Sequence, residues 1–228
     1  MNEKNIEMLK ARLKTLGFSD NADSLLRCHT CFAPEEFDIR FEKQAGADHC
    51  SYLVHFIRGE KGSYDCVYYL ATLRKPVEMP ATLKQYETAM GSINWREIAA
   101  IREGWVTEGV SPDNAARAGE VLGAMTSSPE AESLKYAHWA GTTLESLLPN
   151  LSQLKMTYEI SQRFYFTEEQ EPISADEAVR FLQSRWLEKR TLVQQKLLLK
   201  KKKDEGRNAE RPRLLLKKPR KGQGDKLI

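Results

Sequence analysis

Two stretches in the first third of the chain place apolar residues at every second position, which is the pattern of a half-buried β-strand. They are 37–42 (FDIRFE) and 49–58 (HCSYLVHFIR), and a third strand candidate follows at 64–74 (YDCVYYLATLR). The last stretch is apolar on both faces, which suits a central strand. The connections between them are short and contain glycine, as in β-hairpins. The pattern predicts an antiparallel meander of at least three strands, and the alternation in 154–166 (LKMTYEISQRFYF) predicts a strand that returns to it.

Apolar residues at helical spacing predict helices before and after these strands. Residues 3–16 carry aliphatic side chains on one stripe, and Gly17 is a plausible end for this helix. A second short helix follows, with Ser19 or Asp20 as its predicted N-cap. Residues 81–150 are predicted to be mostly helical.

Serine and proline mark the expected helix starts in the second half of the chain. Ser92 and Ser111 are predicted N-caps, and Pro129 opens a further helix. A long helix is predicted from about Ser174 towards Lys203. We therefore predict an α+β fold: a small antiparallel meander sheet with packed helices, a long C-terminal helix and a flexible basic tail.

The same patterns predict how the chain is organised. Residues 1–195 are expected to form a single α+β domain, in which 81–150 is a possible helical insertion. Residues 196–228 are expected to be a basic, largely flexible tail. Segments 110–117 (VSPDNAAR) and 173–180 (ISADEAVR) share Ser, Asp, Ala and Arg at matching places. This match indicates either a common type of helix start or a duplicated structural unit.

The chain's net charge of +3 conceals a strong asymmetry. Residues 196–228 hold 13 Lys and Arg against 4 Asp and Glu, a net charge of +9, and the other 195 residues have a net charge of −6. An acidic body with a basic tail points to a nucleic acid, an anionic membrane or an acidic protein surface as partner.

The tail contains the phrase LLLKK twice, at 197–201 and 214–218. Lysine and arginine neutralise phosphates and release counterions, whereas the tail has no aromatic side chain on which a base could stack. A solvated extension without a specific partner is the other interpretation of the tail. The candidate nucleic-acid-binding residues are Lys200, Lys201, Lys202, Lys203, Arg211, Arg213, Lys217, Lys218, Arg220 and Lys221.

The motif CHTC at 28–31 is the local pattern that comes nearest to a metal or redox site. It follows an apolar helical run, so its thiols are expected near the C-terminal end of a helix, whereas thiolates are favoured at the N-terminal end. The nearest further ligands, His49 and Cys50, are neighbours on a predicted strand and should point to opposite faces. Tyr68 and Tyr69 are expected to be packing residues. We therefore predict no catalytic residue, no metal and no cofactor, and keep a cysteine–histidine enzyme as the minor alternative.

The N-terminus is charged throughout, and no apolar run approaches the length of a membrane span. The chain has four cysteines, too few for a disulfide scaffold. These features predict a cytoplasmic protein with reduced thiols and no membrane span.

Three segments resemble an uncharacterised protein family carried on conjugative mobile elements of Bacteroidetes. Segment 5–18 (NIEMLKARLKTLGF) resembles that family's leading helix, which ends in Leu-Gly-Phe, and segment 66–75 (CVYYLATLRK) resembles its aromatic strand. Segment 164–190 resembles its helix start, and 81–150 departs from its pattern. The residues that match the helix start are Ile173, Ser174, Ala175, Glu177 and Ala178. The resemblance implies a bacterial cytoplasm and a mobile-element neighbourhood, and it carries over no activity.

These observations give two hypotheses for function. The first is a non-enzymatic accessory protein of a mobile genetic element that contacts nucleic acid, with DNA favoured, electrostatically through the basic tail. The alternative is a protein–protein interaction module whose basic tail binds an acidic partner or its own acidic body.

Overall fold

The computed structural model describes residues 3–18, 21–104, 111–166 and 171–209, with side chains up to Lys201. Short 3₁₀ turns lie at Glu60–Gly62, Ala81–Leu83 and Thr143–Leu147. The helices and strands, in chain order, are α1 Glu3–Thr15, α2 Ala22–Thr30, β1 Glu36–Ala45, β2 Asp48–Arg58, β3 Tyr64–Arg74, α3 Lys84–Gly91, α4 Trp95–Arg102, α5 Pro112–Ala124, α6 Pro129–Trp139, α7 Leu151–Tyr158, β4 Glu159–Tyr165 and α8 Ala175–Ala209.

The four strands form one antiparallel sheet in the order β1-β2-β3-β4. The three predicted strands are confirmed, and β3 is central, as its apolar faces predicted. The predicted α+β class, the meander sheet with packed helices and the long C-terminal helix are confirmed as well.

One face of the sheet forms the main core. Along β2, every second side chain is buried, and Val54 and Phe56 are fully inaccessible. The helices α1 and α2 contact this sheet through β3 and β1. The start of α8 is tied to the same face because the Tyr52 hydroxyl donates to the carbonyl of Ala175 at 3.1 Å, and the Tyr69 hydroxyl donates to that of Ile173 at 2.8 Å.

A second apolar cluster forms among α3–α7. Its centre includes Trp95 and Trp139, whose rings meet edge to face with centroids 5.6 Å apart. This cluster reaches the sheet at one end, where Arg40 donates to the carbonyl of Gly141 at 3.3 Å. Residues 81–150 are mostly helical, as predicted.

The strand predicted over 154–166 is wrong in its first half. Helix α7 continues to Tyr158, and β4 begins at Glu159. The physical reason is that Leu154 and Tyr158 lie four residues apart and both pack inward: Leu154 is buried, and Tyr158 stacks on Tyr136 with ring centroids 5.9 Å apart. The helical spacing therefore decides the structure here.

Two predicted helix caps differ from the structure. The N-cap of α4 is Asn94, whose side-chain oxygen accepts from the Glu97 amide at 3.3 Å, whereas Ser92 lies at the end of α3. The N-cap of α2 is Asn21. Ser19 and Asp20 lie outside the described residues.

The two echoed segments both begin helices but with different hydrogen bonds. Ser174 and Glu177 form a capping box: the Ser174 Oγ accepts from the Glu177 amide at 3.4 Å, and Glu177 Oε2 accepts from the Ser174 amide at 2.9 Å. These bonds to Ser174 lower the pKa of Glu177. Ser111 instead donates its amide to Glu97 Oε1 at 2.7 Å. The structure supports the helix-start interpretation of the echo.

The chain divides into two units, Met1–Arg185 and Trp186–Ile228. The domain boundary predicted at 195 falls within α8, which remains helical to Ala209. Residues 210–228 lie outside the described residues, so the flexibility predicted for the tail stays a prediction.

The buried Asn5 side chain is expected to be a main determinant of stability. Its amide nitrogen donates to the carbonyl of Tyr64 at 3.0 Å, and its oxygen accepts from the Tyr64 amide at 2.9 Å. Asn5→Ala leaves both buried backbone groups without these bonds. We expect the free energy of unfolding to fall by about 2–3 kcal/mol in urea denaturation.

The control for this experiment is Lys14→Ala, at an exposed position on the same helix. It should change the free energy of unfolding by no more than about 0.5 kcal/mol. Equal effects of the two substitutions would show that the Asn5–Tyr64 pair does not stabilise the fold.

Candidate nucleic-acid interface

The predicted lysines whose side chains the structure describes, Lys200 and Lys201, lie on the second half of α8 and are exposed. Lys196 on the same helix is exposed as well. Because the residues of a helix that are four and seven apart share a side, Lys189, Lys196 and Lys200 form one row. Lys189 also lies over the ring of Trp186, 4.9 Å from its centroid. This part of the helix therefore presents several cations along its length.

The other predicted residues are placed only in part. Lys202 and Lys203 lie on α8, beyond the last described side chain. The remaining six lie outside the described residues: Arg211, Arg213, Lys217, Lys218, Arg220 and Lys221. The structure therefore brings Lys200 and Lys201 together on one helix and leaves the rest of the predicted interface as a prediction.

The same half of α8 exposes apolar side chains in several directions. At 100° per residue, Leu187 and Leu198 fall on one side, Leu192 and Leu199 on a second, and Val193 and Leu197 on a third. Each of these side chains is at least half exposed. A membrane-surface helix has a single apolar face, and residues 186–201 do not show one. Within the described residues, no helix is long and apolar enough to cross a bilayer.

A second cluster, not predicted from sequence, lies on the sheet face opposite the main core. It consists of His55, Tyr68, Arg163 and Tyr165, and is called the aromatic patch below. His55 stacks on Tyr68 with ring centroids 4.7 Å apart, and the Tyr68 and Tyr165 centroids are 5.6 Å apart. The Arg163 guanidinium lies 4.3 Å from the Tyr68 centroid, and Tyr165 is 59% exposed.

A β-bulge places Tyr68 on this outer face. The β2–β3 register shifts between His55 and Phe56, and β3 changes its buried positions there. Tyr64 and Cys66 are buried before the bulge, and Tyr69 is buried after it. Bulges often redirect a side chain next to a functional site. Tyr68 therefore points away from the core, although its neighbour Tyr69 lies within it.

The electrostatics of the aromatic patch differ between its two sides. On the β4 side, Arg163 donates to the Tyr165 hydroxyl at 3.2 Å, and this hydrogen bond raises the pKa of Arg163. On the β1 side, carboxylates approach His55: Asp38 Oδ1 lies 2.8 Å from Nδ1, and Glu36 Oε2 lies 3.7 Å from Nε2. The patch thus has a cationic border and an anionic border.

The sequence contained a signal for this patch. In a strand, neighbouring residues point to opposite faces, so two adjacent aromatic residues place one ring on each face. The expectation that Tyr68 and Tyr69 are packing residues holds for Tyr69 in the core and for the cross-strand contacts of Tyr68. Phe164 and Tyr165 repeat the arrangement on β4, with Phe164 buried and Tyr165 exposed.

The CHTC cysteines are at the C-terminal end of α2, as expected. Cys28 and Cys31 are exposed, and the Cys31 thiol donates to the carbonyl of Cys28 at 2.9 Å. His49 and Cys50 do point to opposite faces, with Cys50 buried in the core. In the described part of the chain, no group of three or more His, Cys, Asp or Glu residues could hold a metal ion.

A polar groove of about 220 Å³ separates the sheet from the α3–α7 cluster. Its charged side chains are largely paired: Lys155 lies 2.6 Å from Glu145, and His49 lies 3.7 Å from Glu42. Burial lowers the pKa of His49, which favours its neutral form. Arg96 of α4 also forms an ion pair with Glu42 of β1, and this pair connects the two walls of the groove.

Comparisons with known proteins found no match: no family model, no curated protein and no solved structure matches the chain. The resemblance to the family on conjugative elements therefore stays a prediction. The function has to be argued from the basic half of α8 and from the aromatic patch.

We predict that the four thiols separate into two reactivity classes. Burial raises the pKa of the Cys50 thiol to about 11 and that of the Cys66 thiol to about 12, so both stay protonated at pH 8, whereas Cys28 and Cys31 are exposed. Iodoacetamide at pH 8 should alkylate the exposed pair at least about tenfold faster, as followed by peptide mass spectrometry.

The control is the same reaction in guanidinium chloride, where all four thiols should react at similar rates. Fast alkylation of Cys66 in the native protein would contradict its position in the core.

Proposed function

We propose that the protein is a non-enzymatic accessory protein of a mobile genetic element that contacts nucleic acid, with DNA as the expected partner. The contact is electrostatic and is made by the basic C-terminal tail, 196–228. The observation that supports this proposal is the set of exposed lysines on α8, Lys196, Lys200 and Lys201. The mobile-element context rests on the sequence resemblance alone.

The spacing of these lysines suits a polyanion. Lys189 and Lys200 lie eleven positions apart, which is about 16 Å along a helix axis, and a DNA duplex carries one charge per about 1.7 Å of its own axis. A row of cations of this length can meet several phosphates without reading a base. We therefore expect binding that depends little on sequence and strongly on salt.

The charge of the rest of the chain favours the tail as the contact. Residues 1–195 have a net charge of −6, which repels a polyanion at long range, whereas 196–228 have a net charge of +9. The body is therefore expected to recognise a partner or a particular form of nucleic acid, and the tail is expected to supply most of the attraction.

The test substitutes two tail lysines in the full-length chain. Lys200→Gln with Lys201→Gln should weaken binding to a fluorescein-labelled duplex, measured by anisotropy over a salt series. Loss of two phosphate contacts should make the slope of log K against log salt less steep by about 1.8.

The matched control is Lys14→Gln with Lys84→Gln, which removes the same charge from two exposed positions of the body. This control should leave the slope unchanged. If the two pairs of substitutions have equal effects, the tail is not the contact. If the unmodified chain binds neither duplex nor single strand at low salt, the proposed function fails.

A protein–protein interaction module is the second candidate. The exposed apolar residues of α8 favour it, because side chains such as Leu192 and Leu199 are more than half exposed and solvent-exposed apolar surface often marks a protein contact. Leu192→Gln with Leu199→Gln should then abolish a stable complex isolated from nuclease-treated lysate. A complex that is recovered from untreated lysate but not from nuclease-treated lysate would favour nucleic acid over an acidic protein partner.

A further inference from the structure

We propose that the aromatic patch binds unpaired bases of single-stranded nucleic acid by stacking. This inference rests on the proposed function, and it names the form of nucleic acid that the body prefers. The tail supplies attraction that does not distinguish single strand from duplex. The patch would supply that distinction.

The patch offers flat surfaces on a rigid support. Its side chains project from three neighbouring strands of a sheet whose other face is buried in the main core. Tyr165 is 59% exposed and offers an accessible ring. The Tyr68 ring is already in contact with His55, which stacks on it, and with the Arg163 guanidinium at 4.3 Å, so the guanidinium plane is the second surface there. Aromatic rings and arginine planes are the groups on which proteins stack unpaired bases, and open four-stranded sheets commonly carry them.

The distribution of charge indicates on which side of the patch the phosphates of a bound strand would lie. Arg163 is the cation beside Tyr165, whereas Asp38 lies against His55 on the opposite side of the patch. Phosphates are therefore expected on the β4 side, with the bases turned inward over the rings. Next along this face, the hydroxyls of Thr72 and Ser161 are 2.8 Å apart and can hydrogen-bond to base edges.

A duplex does not fit this surface in the same way. Its bases are already stacked on one another and paired, so their flat faces cannot reach an aromatic side chain on an open sheet. Single strands present these faces freely. Removing the exposed rings should therefore affect single-strand binding and leave duplex binding to the tail.

The experiment uses the full chain and two labelled probes, a 15-nucleotide oligothymidine and a 15-base-pair duplex, in anisotropy titrations at one low salt concentration. Tyr165→Ala should weaken single-strand binding by about 5- to 150-fold, the range found for loss of one stacked base. Duplex binding should change by less than about twofold. Tyr165→Phe keeps the ring and should retain most of the affinity for the single strand.

The matched control is Phe32→Ala, which removes an aromatic ring that is 90% exposed in the turn after α2. It should leave binding to both probes unchanged. Asp38→Asn removes an anion at the border of the patch and should strengthen single-strand binding. Thermal denaturation of every variant tests whether it is folded, and Tyr165 is exposed enough that we expect its loss to be tolerated.

The outcomes separate this inference from the proposed function. If Tyr165→Ala and Phe32→Ala bind the single strand equally well while the tail variant Lys200→Gln with Lys201→Gln weakens both probes, the inference is wrong and the proposed function stands. If the unmodified chain binds neither probe, both fail. A selective loss with Tyr165→Ala, restored by Tyr165→Phe, supports stacking on the patch.

Discussion

The packing of Phe18 on the inner face of the sheet is the contact on which the arrangement of the fold depends. Its ring meets those of Phe41, Tyr52 and Tyr69, on three different strands, at centroid distances of 5.1, 5.0 and 5.5 Å. The residue lies three positions after the end of α1, so this contact joins the first helix to β1, β2 and β3. Aromatic contacts of this kind contribute energy and also fix orientation. Once these rings are buried, strand alternation assigns the outward positions, and the surface for a partner is determined by the core.

Much of the fold could be predicted from sequence because strand and helix periods are local properties. The alternation of apolar and polar residues predicts β1 and β2, the two apolar faces of 64–74 predict the central position of β3, and helical spacing predicts α8. The strand prediction around Leu154 is wrong because LKMTYEI alternates over a short window that also fits a helix. The contact of Tyr158 with Tyr136 decides between the two patterns, and no local pattern reveals it.

The candidate site likewise has one part that the sequence predicts and one part that only the structure reveals. Composition alone showed the basic tail, since lysine content needs no three-dimensional information. The aromatic patch depends on the pairing of Tyr68 with Tyr165, two residues far apart in the chain. It also depends on a bulge in β3 that the sequence conceals, because 64–74 is apolar on both faces and alternation there has no clear phase. Adjacent aromatic pairs could indicate an outward ring, but not which rings meet.

The two contacts proposed for nucleic acid are chemically complementary. Lysines on a helix attract phosphates over a distance but lose that attraction as salt is added, whereas stacking on a ring such as Tyr165 acts at contact and is less sensitive to salt. An acidic body can take part only where a local cation such as Arg163 offsets its charge. Because two weak contacts carried by one chain act at a high effective concentration, neither contact has to be strong. The charge asymmetry of the chain and the outward tyrosines of the sheet then have one common explanation.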